Sequence, residues 1–368
     1  MKTRPQSPRF GVMAATALLT GIVAWMAHAA QPGYLQTNLV SDIPGLATFT
    51  DPNLVNAWGM SFGQNTPIWV SDNGTGLSTL YKGDGTAFPP AAPLIVTIPA
   101  PSGSNGPSAP TGQVFNGDNS NNGAFPVNGT KASFIFVTED GTIAGWRQGL
   151  TPSNVAVIER DRSSVGAVYK GVALNNAKDH LYATNFRFGT IEVFDTTWTL
   201  VDSFTDPATP PGYAPFNIQN LNGTLYVSFA KQDGERHDDD AGPGRGFVDI
   251  LDPTTNTFSR LISGQPGQAP LNSPWGMAIA PNAGFGQFSA ALLVGNFGDG
   301  AINAFDPSSG AFLGGLRHSQ GPPIKIDGLW ALVFGLGGAN NGPKTTLFFT
   351  AGPNDESHGL FGKLEAAP

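Results

Sequence analysis

Short apolar segments alternate with polar turns along this chain in six successive repeats. Each repeat has an apolar strand, a short gap, a second apolar strand, a tight polar turn and a third strand. The clearest pair is 56–61 with 68–74, against 274–279 with 292–298. A repeat of roughly 40–50 residues built from strands is typical of a β-propeller. The pattern therefore predicts an all-β fold, a six-bladed β-propeller.

The second strand of each repeat is almost entirely apolar, which indicates a strand covered on both faces by neighbouring blades. We name the strands A to D outward from the axis. The predicted A, B and C strands are 58–62, 68–71 and 77–82; 113–116, 133–138 and 142–147; 171–174, 181–185 and 190–194; 216–219, 225–230 and 247–251; 276–280, 292–296 and 301–305; and 329–334, 345–350 and 359–364. The predicted outer strands are 94–98, 155–159, 200–204, 259–262 and 312–316.

Blade six has no outer strand before the chain ends. The segment 34–40 is an unassigned strand, and we expect it to fill that place, which would close the ring and cover its open edges. Segments 99–112 and 117–129 read as surface loops, and 232–246 is an acidic insertion in blade four. The predicted propeller spans 34–364 and needs no second domain.

The first 29 residues have the features of a signal peptide. Lys2, Arg4 and Arg9 precede an apolar run over 10–26, and Ala27-His28-Ala29 fits the small-x-small cleavage rule. A membrane anchor is the alternative, but the apolar run is short and ends in a cleavage-like triplet. We therefore expect export, to the periplasm or the extracellular space, with no membrane span after cleavage.

The net charge of the chain narrows its possible partners. Removing the signal leaves 16 Lys and Arg against 27 Asp and Glu, a formal charge of −11. Such a surface repels phosphates, so nucleic acid is not an expected partner.

The chain has no cysteine, so stability must come from the core and from closure of the ring. We expect a monomer.

Most of the unusual polar side chains fall in the loops before A strands or in the B–C turns. In a propeller both open on one face, at the mouth of the central channel, and we expect this face to bind a ligand. The candidate ligand-face residues are Asn56, Trp58, Asp72, Asn185, Arg187, Asn217, Lys231, Trp275, Asn296, Asp299, Asp327 and Trp330. Structural roles stay open for them as well: Asp and Asn favour turns for backbone reasons, and the recurring tryptophans fit blade packing as well as a lining for a sugar or another planar ligand.

The strongest local signal is the acidic loop 231–240, with the related turn 354–358 in blade six. Carboxylates bind Ca²⁺ or Mg²⁺, and a histidine favours a transition metal. The candidate metal ligands are Asp233, His237, Asp238, Asp239, Asp355 and Glu356, and the candidate catalytic residues are His237 and His358. A solvated acidic hairpin is the alternative. The chain has no nucleophile elbow, zinc-protease motif or phosphate loop.

Several longer motifs resemble a known family. They are Lys231-Gln232-Asp233 with His237-Asp238-Asp239, Asn272-Ser273-Pro274-Trp275-Gly276, Gly295-Asn296-Phe297-Gly298-Asp299-Gly300, Ile326-Asp327-Gly328-Leu329-Trp330 and Gly352-Pro353-Asn354-Asp355-Glu356. They resemble exported bacterial NHL-type six-bladed propellers, some of which end in a PEP-type sorting tail for the cell surface. The resemblance spans about 34–364 and implies a fold and a location, without an established activity.

Two functional hypotheses follow. The first is a secreted or periplasmic binding module whose acidic, amide-rich face takes a small molecule, a glycan, a protein or a divalent ion. The second is a metal-dependent, lactonase-like hydrolase or lyase with its ion in the central channel, where the metal would polarise a carbonyl and a side chain would move protons.

Overall fold

A computed structural model describes Met1 and residues 33–368, so the predicted signal peptide lies outside the described residues. The first described strands are β1 (Tyr34–Ser41) and the short β2 (Phe49–Thr50). In the described part of the chain, no helix is long and apolar enough to cross a membrane.

Six antiparallel sheets follow, one for each predicted blade, and this confirms the six-bladed β-propeller. Blades one to three contain β3 (Ala57–Ser61), β4 (Ile68–Asp72), β5 (Leu77–Tyr81) and β6 (Val96–Thr97); β7 (Pro110–Phe115), β10 (Phe134–Thr138), β11 (Thr142–Trp146) and β12 (Val157–Asp161), with a small hairpin of β8 (Pro126–Val127) and β9 (Thr130–Lys131); then β13 (Tyr169–Leu174), β14 (His180–Asn185), β15 (Thr190–Asp195) and β16 (Leu200–Phe204).

Blades four to six have the same plan. They contain β17 (Tyr213–Leu221), β18 (Thr224–Lys231), β19 (Phe247–Asp252) and β20 (Thr257–Ser263); β21 (Pro274–Ile279), β22 (Leu292–Asn296), β23 (Ile302–Phe305) and β24 (Phe312–Gly315); then β25 (Leu329–Phe334), β26 (Leu347–Ala351) and β27 (Leu360–Ala366). Two short 3₁₀ helices lie at Ser163–Val165 and Gly286–Phe288.

The segment read as a loop over 117–129 departs from the prediction. Ala124, Phe125 and Val127 are fully buried, and the β8–β9 hairpin packs near Trp198, whose indole Nε1 donates to the Pro126 carbonyl at 2.9 Å. The apolar residues there are too few to form a periodic pattern, which is why the sequence alone did not predict a hairpin.

The N-terminal strand closes the ring, as predicted. β1 pairs antiparallel with β27 and gives blade six its outer strand. Tyr34 is buried, lies near Phe285 with ring centroids 4.8 Å apart, and donates its hydroxyl to the Phe285 carbonyl at 3.1 Å. The closing strand therefore also packs against blade five.

Each A strand is distorted at the same point. Every A–B pair has a register shift, the mark of a β-bulge, at about the third residue of the A strand. Glycines at this level let neighbouring A strands touch: a Cβ on Gly59 would lie 2.2 Å from the Thr111 carbonyl oxygen, and one on Gly276 would lie 2.3 Å from that of Trp330. The channel is consequently narrow here.

Antiparallel pairing within each sheet decides which loops share a face. Loops into A strands and B–C turns meet at one end of the axis, and A–B and C–D connections meet at the other. We call the first end the upper face and the second the lower face.

Candidate functional site

The axis is filled near the upper face by six aromatic side chains. We call them the aromatic plug, and they come from every blade except blade two: Trp58, Phe186, Phe216, Trp275, Phe297 and Trp330. Trp330 is sandwiched, with Trp58 at a centroid distance of 3.5 Å on one side and Phe297 at 4.0 Å on the other. Trp275 meets Trp330 edge-on at 5.9 Å. The three repeated tryptophans are therefore buried core between blades, and they do not line an open sugar site.

A buried cation lies directly on this plug. The ammonium of Lys170, in β13, is 5.0 Å from the centre of the Trp58 ring, and its side chain is 1% exposed. It forms ion pairs with Glu139, from the B–C turn of blade two, and with Asp238 at 2.8 Å, from the B–C loop of blade four. Burial alone lowers the pKa of a lysine, but these two carboxylates outweigh it and raise the pKa of Lys170 above its ordinary value.

Blades one and six complete the cluster. The Asn56 amide donates to Glu356 Oε2 at 2.6 Å and to Asn73 Oδ1 at 3.1 Å, and its carbonyl oxygen accepts the Trp330 indole N–H at 2.9 Å. The Asn73 amide in turn donates to Glu139 at 2.9 Å. We call the seven residues that meet here the acidic mouth: Asn56, Asn73, Glu139, Lys170, His237, Asp238 and Glu356.

Negative charge exceeds positive charge in the acidic mouth. Burial, and then the nearby Glu139 carboxylate, raises the pKa of Glu356 to about 7. Burial also raises the pKa of the neighbouring Asp239 to about 6, and its Oδ2 is buried without a hydrogen-bond partner among the described residues. Three carboxyl groups, those of Glu139, Asp238 and Glu356, thus surround the one ammonium of Lys170, and the negative charge there grows as Glu356 ionises above about pH 7.

His237 and Asp238 are adjacent members of the same loop. The His237 ring lies 3.1 Å from Asp238 Oδ2, and this contact raises the pKa of His237 although burial opposes it. Burial would raise the pKa of Asp238, but His237 and Lys170 hold it well below its usual value. Glu139, His237 and Asp238 each place one possible ligand atom within 4.8 Å of the others.

The remaining candidates for metal binding and catalysis have other positions and contacts. Asp233 accepts the backbone N–H of His237 at 2.9 Å and so shapes the loop. Asp355 is exposed next to Glu356, with a positive φ of 52°. His358 lies apart from the cluster and bonds Asp42 at 2.6 Å, at the junction with the N-terminal segment.

The other predicted ligand-face residues are engaged within or between blades. Asp72 is fully buried and accepts the Thr79 hydroxyl at 3.2 Å; Asn185 donates to Glu192 at 3.0 Å; Asn217 donates to the Trp275 carbonyl at 2.8 Å; and Asn296 donates to the Pro270 carbonyl at 2.8 Å. These contacts hold turns and blades together, which is the structural role that the sequence left open.

Four further candidates lie in the surrounding loops. Lys231 pairs with Asp240, Asp299 with Lys325 at 3.3 Å, and Asp327 accepts the Asn354 backbone N–H at 2.9 Å. Arg187 has a buried Nε without a partner among the described residues. None of these contacts reaches Lys170 within the described part of the chain.

Lys170 is the residue that sequence reasoning missed. It is the single charged side chain in an otherwise uncharged A strand, and this unusual position is visible in the sequence. Glu139 and Asn73 occupy B–C turns, as do many residues with local roles, so nothing in their spacing separates them from ordinary turn formers.

The lower end of the channel holds a cavity, whereas the upper end is filled by the aromatic plug. The ends of all six A strands surround a cavity of about 510 Å³, lined mainly by apolar side chains. The A–B connections on this face vary in length, from residues 222–223 in blade four to residues 116–133 in blade two.

The comparisons with known proteins show the fold and the family. No protein-family profile matches the chain. A streptogramin B lyase structure shares the fold, with a TM-score of 0.50 and 10% identity over 90% of this chain and 97% of that one. A putative gluconolactonase aligns with a TM-score of 0.42 and 18% identity over 73% of this chain and 93% of that one. At 10% identity the likeness to the lyase structure concerns the fold alone.

Sequence relatives come from Acanthamoeba polyphaga mimivirus. The uncharacterized protein L690 is 30% identical over 341 residues, which are 89% of this chain and 84% of that protein. The uncharacterized protein R648 is 31% identical over 338 residues, covering 89% and 78%. The chain therefore belongs to the family of these two viral proteins.

Proposed function

We propose that the protein is a binding module whose acidic mouth binds a positively charged species, either a divalent cation or the cationic group of a small ligand. The observation that supports this is the convergence of Glu139, Asp238 and Glu356, from three different blades, around the ammonium of Lys170. The surplus negative charge in a half-buried site attracts a cation.

The donor set fits a divalent ion chemically, with one restriction. Two carboxylates and an imidazole are suitable ligands for Mn²⁺ or Zn²⁺, and the carboxylates also suit Ca²⁺ or Mg²⁺. However, every oxygen of Glu139 and Asp238 already accepts a proton donor from Lys170, Asn73 or His237. Each carboxylate oxygen has a second lone pair, so an ion would share these oxygens with the protein donors, and Glu356 and the exposed Asp238 are the groups most available to a ligand.

Calorimetry on the purified protein at pH 8 tests this proposal. The probes are CaCl₂, MgCl₂ and MnCl₂ for metal ions, and choline and ethylamine for organic cations. We expect one probe class to bind once per chain, and Glu356→Gln and Asp238→Asn each to weaken that binding at least about tenfold. Asp252→Asn, which changes an exposed aspartate in an outer turn of blade four, is the matched control.

The proposal fails if no probe binds more tightly than about 1 mM, or if Glu356→Gln and Asp238→Asn bind like the Asp252→Asn control. The probe class that binds decides between a metal ion and an organic cation.

One observation favours a second candidate, a hydrolase or lyase. A carboxyl with a pKa of about 7, as at Glu356, is suited to general acid–base catalysis near neutral pH. The protonated form could donate to a leaving group, and the ionised form could accept a proton from water or substrate. A bound divalent ion would supply Lewis acidity.

An assay with a panel of lactones, with and without MnCl₂ or CaCl₂, tests this candidate. Turnover should follow an ionisation near pH 7 and be lost in Glu356→Gln while the fold is retained. Equal turnover by wild type and Glu356→Gln would remove Glu356 from the role.

Export and the NHL-type assignment also remain proposals. The sequence features that support export are the basic, apolar and small-residue segments before Ala30. Expression in a bacterial host with the full chain, followed by intact mass of the exported fraction, should show a mature protein beginning at Ala30. Retention of residues 1–29 would contradict the signal peptide.

A further inference from the structure

The lower cavity is a blind pocket. Its walls begin on the same A strands that carry the aromatic plug, two residues beyond Trp58 at Met60 and two beyond Trp330 at Leu332. The plug side chains above it are buried, apart from the half-buried Phe297, and they pack against each other across the axis. A molecule in the pocket thus enters and leaves through the lower face.

Apolar residues form the larger part of the pocket lining, and polar residues from the ends of the strands and the A–B turns form the rest. Val114, Val172, Ile279 and Leu332 come from four different blades, and Phe62 and Phe334 lie further along their strands, nearer the opening. The charged residues among those lining the pocket are Asp118 and Lys178, which pair with each other. The wall therefore has no net charge to attract an ion.

Among the polar side chains of the lining, Gln219 lies on the A strand of blade four and has a donor free for a ligand. The Gln219 side chain accepts the Met277 backbone N–H through Oε1 at 2.7 Å, which fixes the amide, while its Nε2 has no acceptor among the described residues. By contrast, the Gln113 amide nitrogen is used twice, by the Gly59 and Trp69 carbonyls at 2.9 Å each. Gln219 thus offers an oriented hydrogen-bond donor next to the apolar residues of the A strands.

We propose that this pocket binds an uncharged, mainly apolar small molecule whose single carbonyl or ether oxygen accepts a hydrogen bond from Gln219. A volume of about 510 Å³ is in the range of small-molecule sites, which are mostly apolar with a few placed polar groups. The pocket lies at the opposite end of the axis from the acidic mouth and does not depend on the function proposed for it.

Fluorescence titration with prodan tests the proposal, because prodan is an uncharged naphthalene with one ketone whose emission shifts to the blue in apolar surroundings. We expect saturable binding of one molecule per chain. Val114→Trp and Val333→Trp fill the pocket and should each weaken binding at least about tenfold. Val201→Trp makes the same change on the exposed outer strand β16 and should leave binding unchanged.

Two results would overturn the proposal: no saturable binding by the wild type, or equal binding by the pocket variants and Val201→Trp. Soaking crystals of the wild type with 1-bromonaphthalene gives a readout that does not depend on variants folding. Anomalous bromine density between the six A strands supports the pocket, and density elsewhere, or water alone in the pocket, excludes it.

Discussion

At the scale of single residues, Lys170 carries the most constrained charge in the described part of the chain. Its ammonium is enclosed by Glu139, Asp238 and the Trp58 ring, and it balances the negative charge of the two carboxylates. Removing one member of a buried ion cluster leaves the others desolvated and unpaired, and this costs more than the cluster contributes when intact.

Replacing Lys170 with methionine should lower the free energy of unfolding by about 3 kcal/mol, because Glu139 would lose its buried partner. Lys325→Met removes an exposed lysine from Asp299 and should cost less than about 1 kcal/mol. Urea unfolding at pH 7 measures both. If the two variants lost equal stability, the cluster would have no structural role.

The pKa of Glu356 gives a pH dependence with a defined sign. Its folded pKa, about 7, lies above its usual 4.5, so the fold favours the protonated form. Below about pH 4.5 the group is neutral in both states and changes nothing. As the pH rises through 7, its ionisation increasingly opposes folding.

Glu356→Gln keeps an oxygen for the Asn56 amide and removes the ionisation. It should therefore match the wild type at pH 4.5 and exceed it at pH 8, by on the order of 1 kcal/mol after solvent screening. Urea unfolding at the two pH values measures the difference, and Asp252→Asn serves as the control. A stability gap that is the same at both pH values would mean that Glu356 is not the titrating group.

At the scale of elements, the A strands are built to approach one another. A bulge in each strand, with a glycine beside it in blades one, two, three and five, brings adjacent backbones into contact around the axis. Hydroxyl groups then bridge the blades: Thr111 donates to the Tyr169 carbonyl at 2.8 Å, and Thr350 donates to the Trp58 carbonyl. The inner ring is thus held by backbone proximity as well as by apolar burial.

Gly59→Ala tests this close approach. Its Cβ would lie 2.2 Å from the Thr111 carbonyl oxygen, so we expect a loss of about 1–3 kcal/mol. Gly106→Ala places the same methyl group in open space within a surface loop and should be neutral or slightly stabilising. Thermal unfolding of both variants checks the contrast, and equal melting temperatures would show that blades one and two can move apart at no cost.

At the scale of the whole molecule, the first and last strands of the propeller are joined by hydrogen bonds, and the chain has no cysteine for a disulfide. The β1–β27 ladder puts the first and last described strands side by side in blade six. Every blade then has two neighbours, and none presents an open inner face to solvent.

Tyr34→Ala should weaken this closure by about 3–5 kcal/mol, since it removes a buried ring and its bond to the Phe285 carbonyl. Leu35→Ala, the next residue, changes a side chain that is 49% exposed and should cost little. Deleting residues 33–41 should lower the stability more than either substitution does, and far more than removal of Ala367–Pro368. Calorimetry measures all four variants, and an unchanged transition after the deletion of 33–41 would disprove closure by β1.

The amino-acid sequence by itself determined the architecture. The six repeats of apolar strands and polar turns predict the six blades, with their strands placed within a few residues. The unassigned strand at 34–40 predicts the closing strand. Both predictions succeed because strand periodicity and turn chemistry are local properties of the chain. The sequence also placed Asn56, His237, Asp238 and Glu356 on one face, since strand order decides which turns share an end of the axis.

Only the tertiary structure decided what meets on that axis. Glu139, Lys170 and Glu356 are far apart in sequence and come together from blades two, three and six, so no spacing could reveal the cluster. The three tryptophans became a plug, and the lower cavity appeared, for the same reason. Both depend on how closely six separate sheets approach a common axis, which bulges and interblade contacts set and which no single repeat encodes.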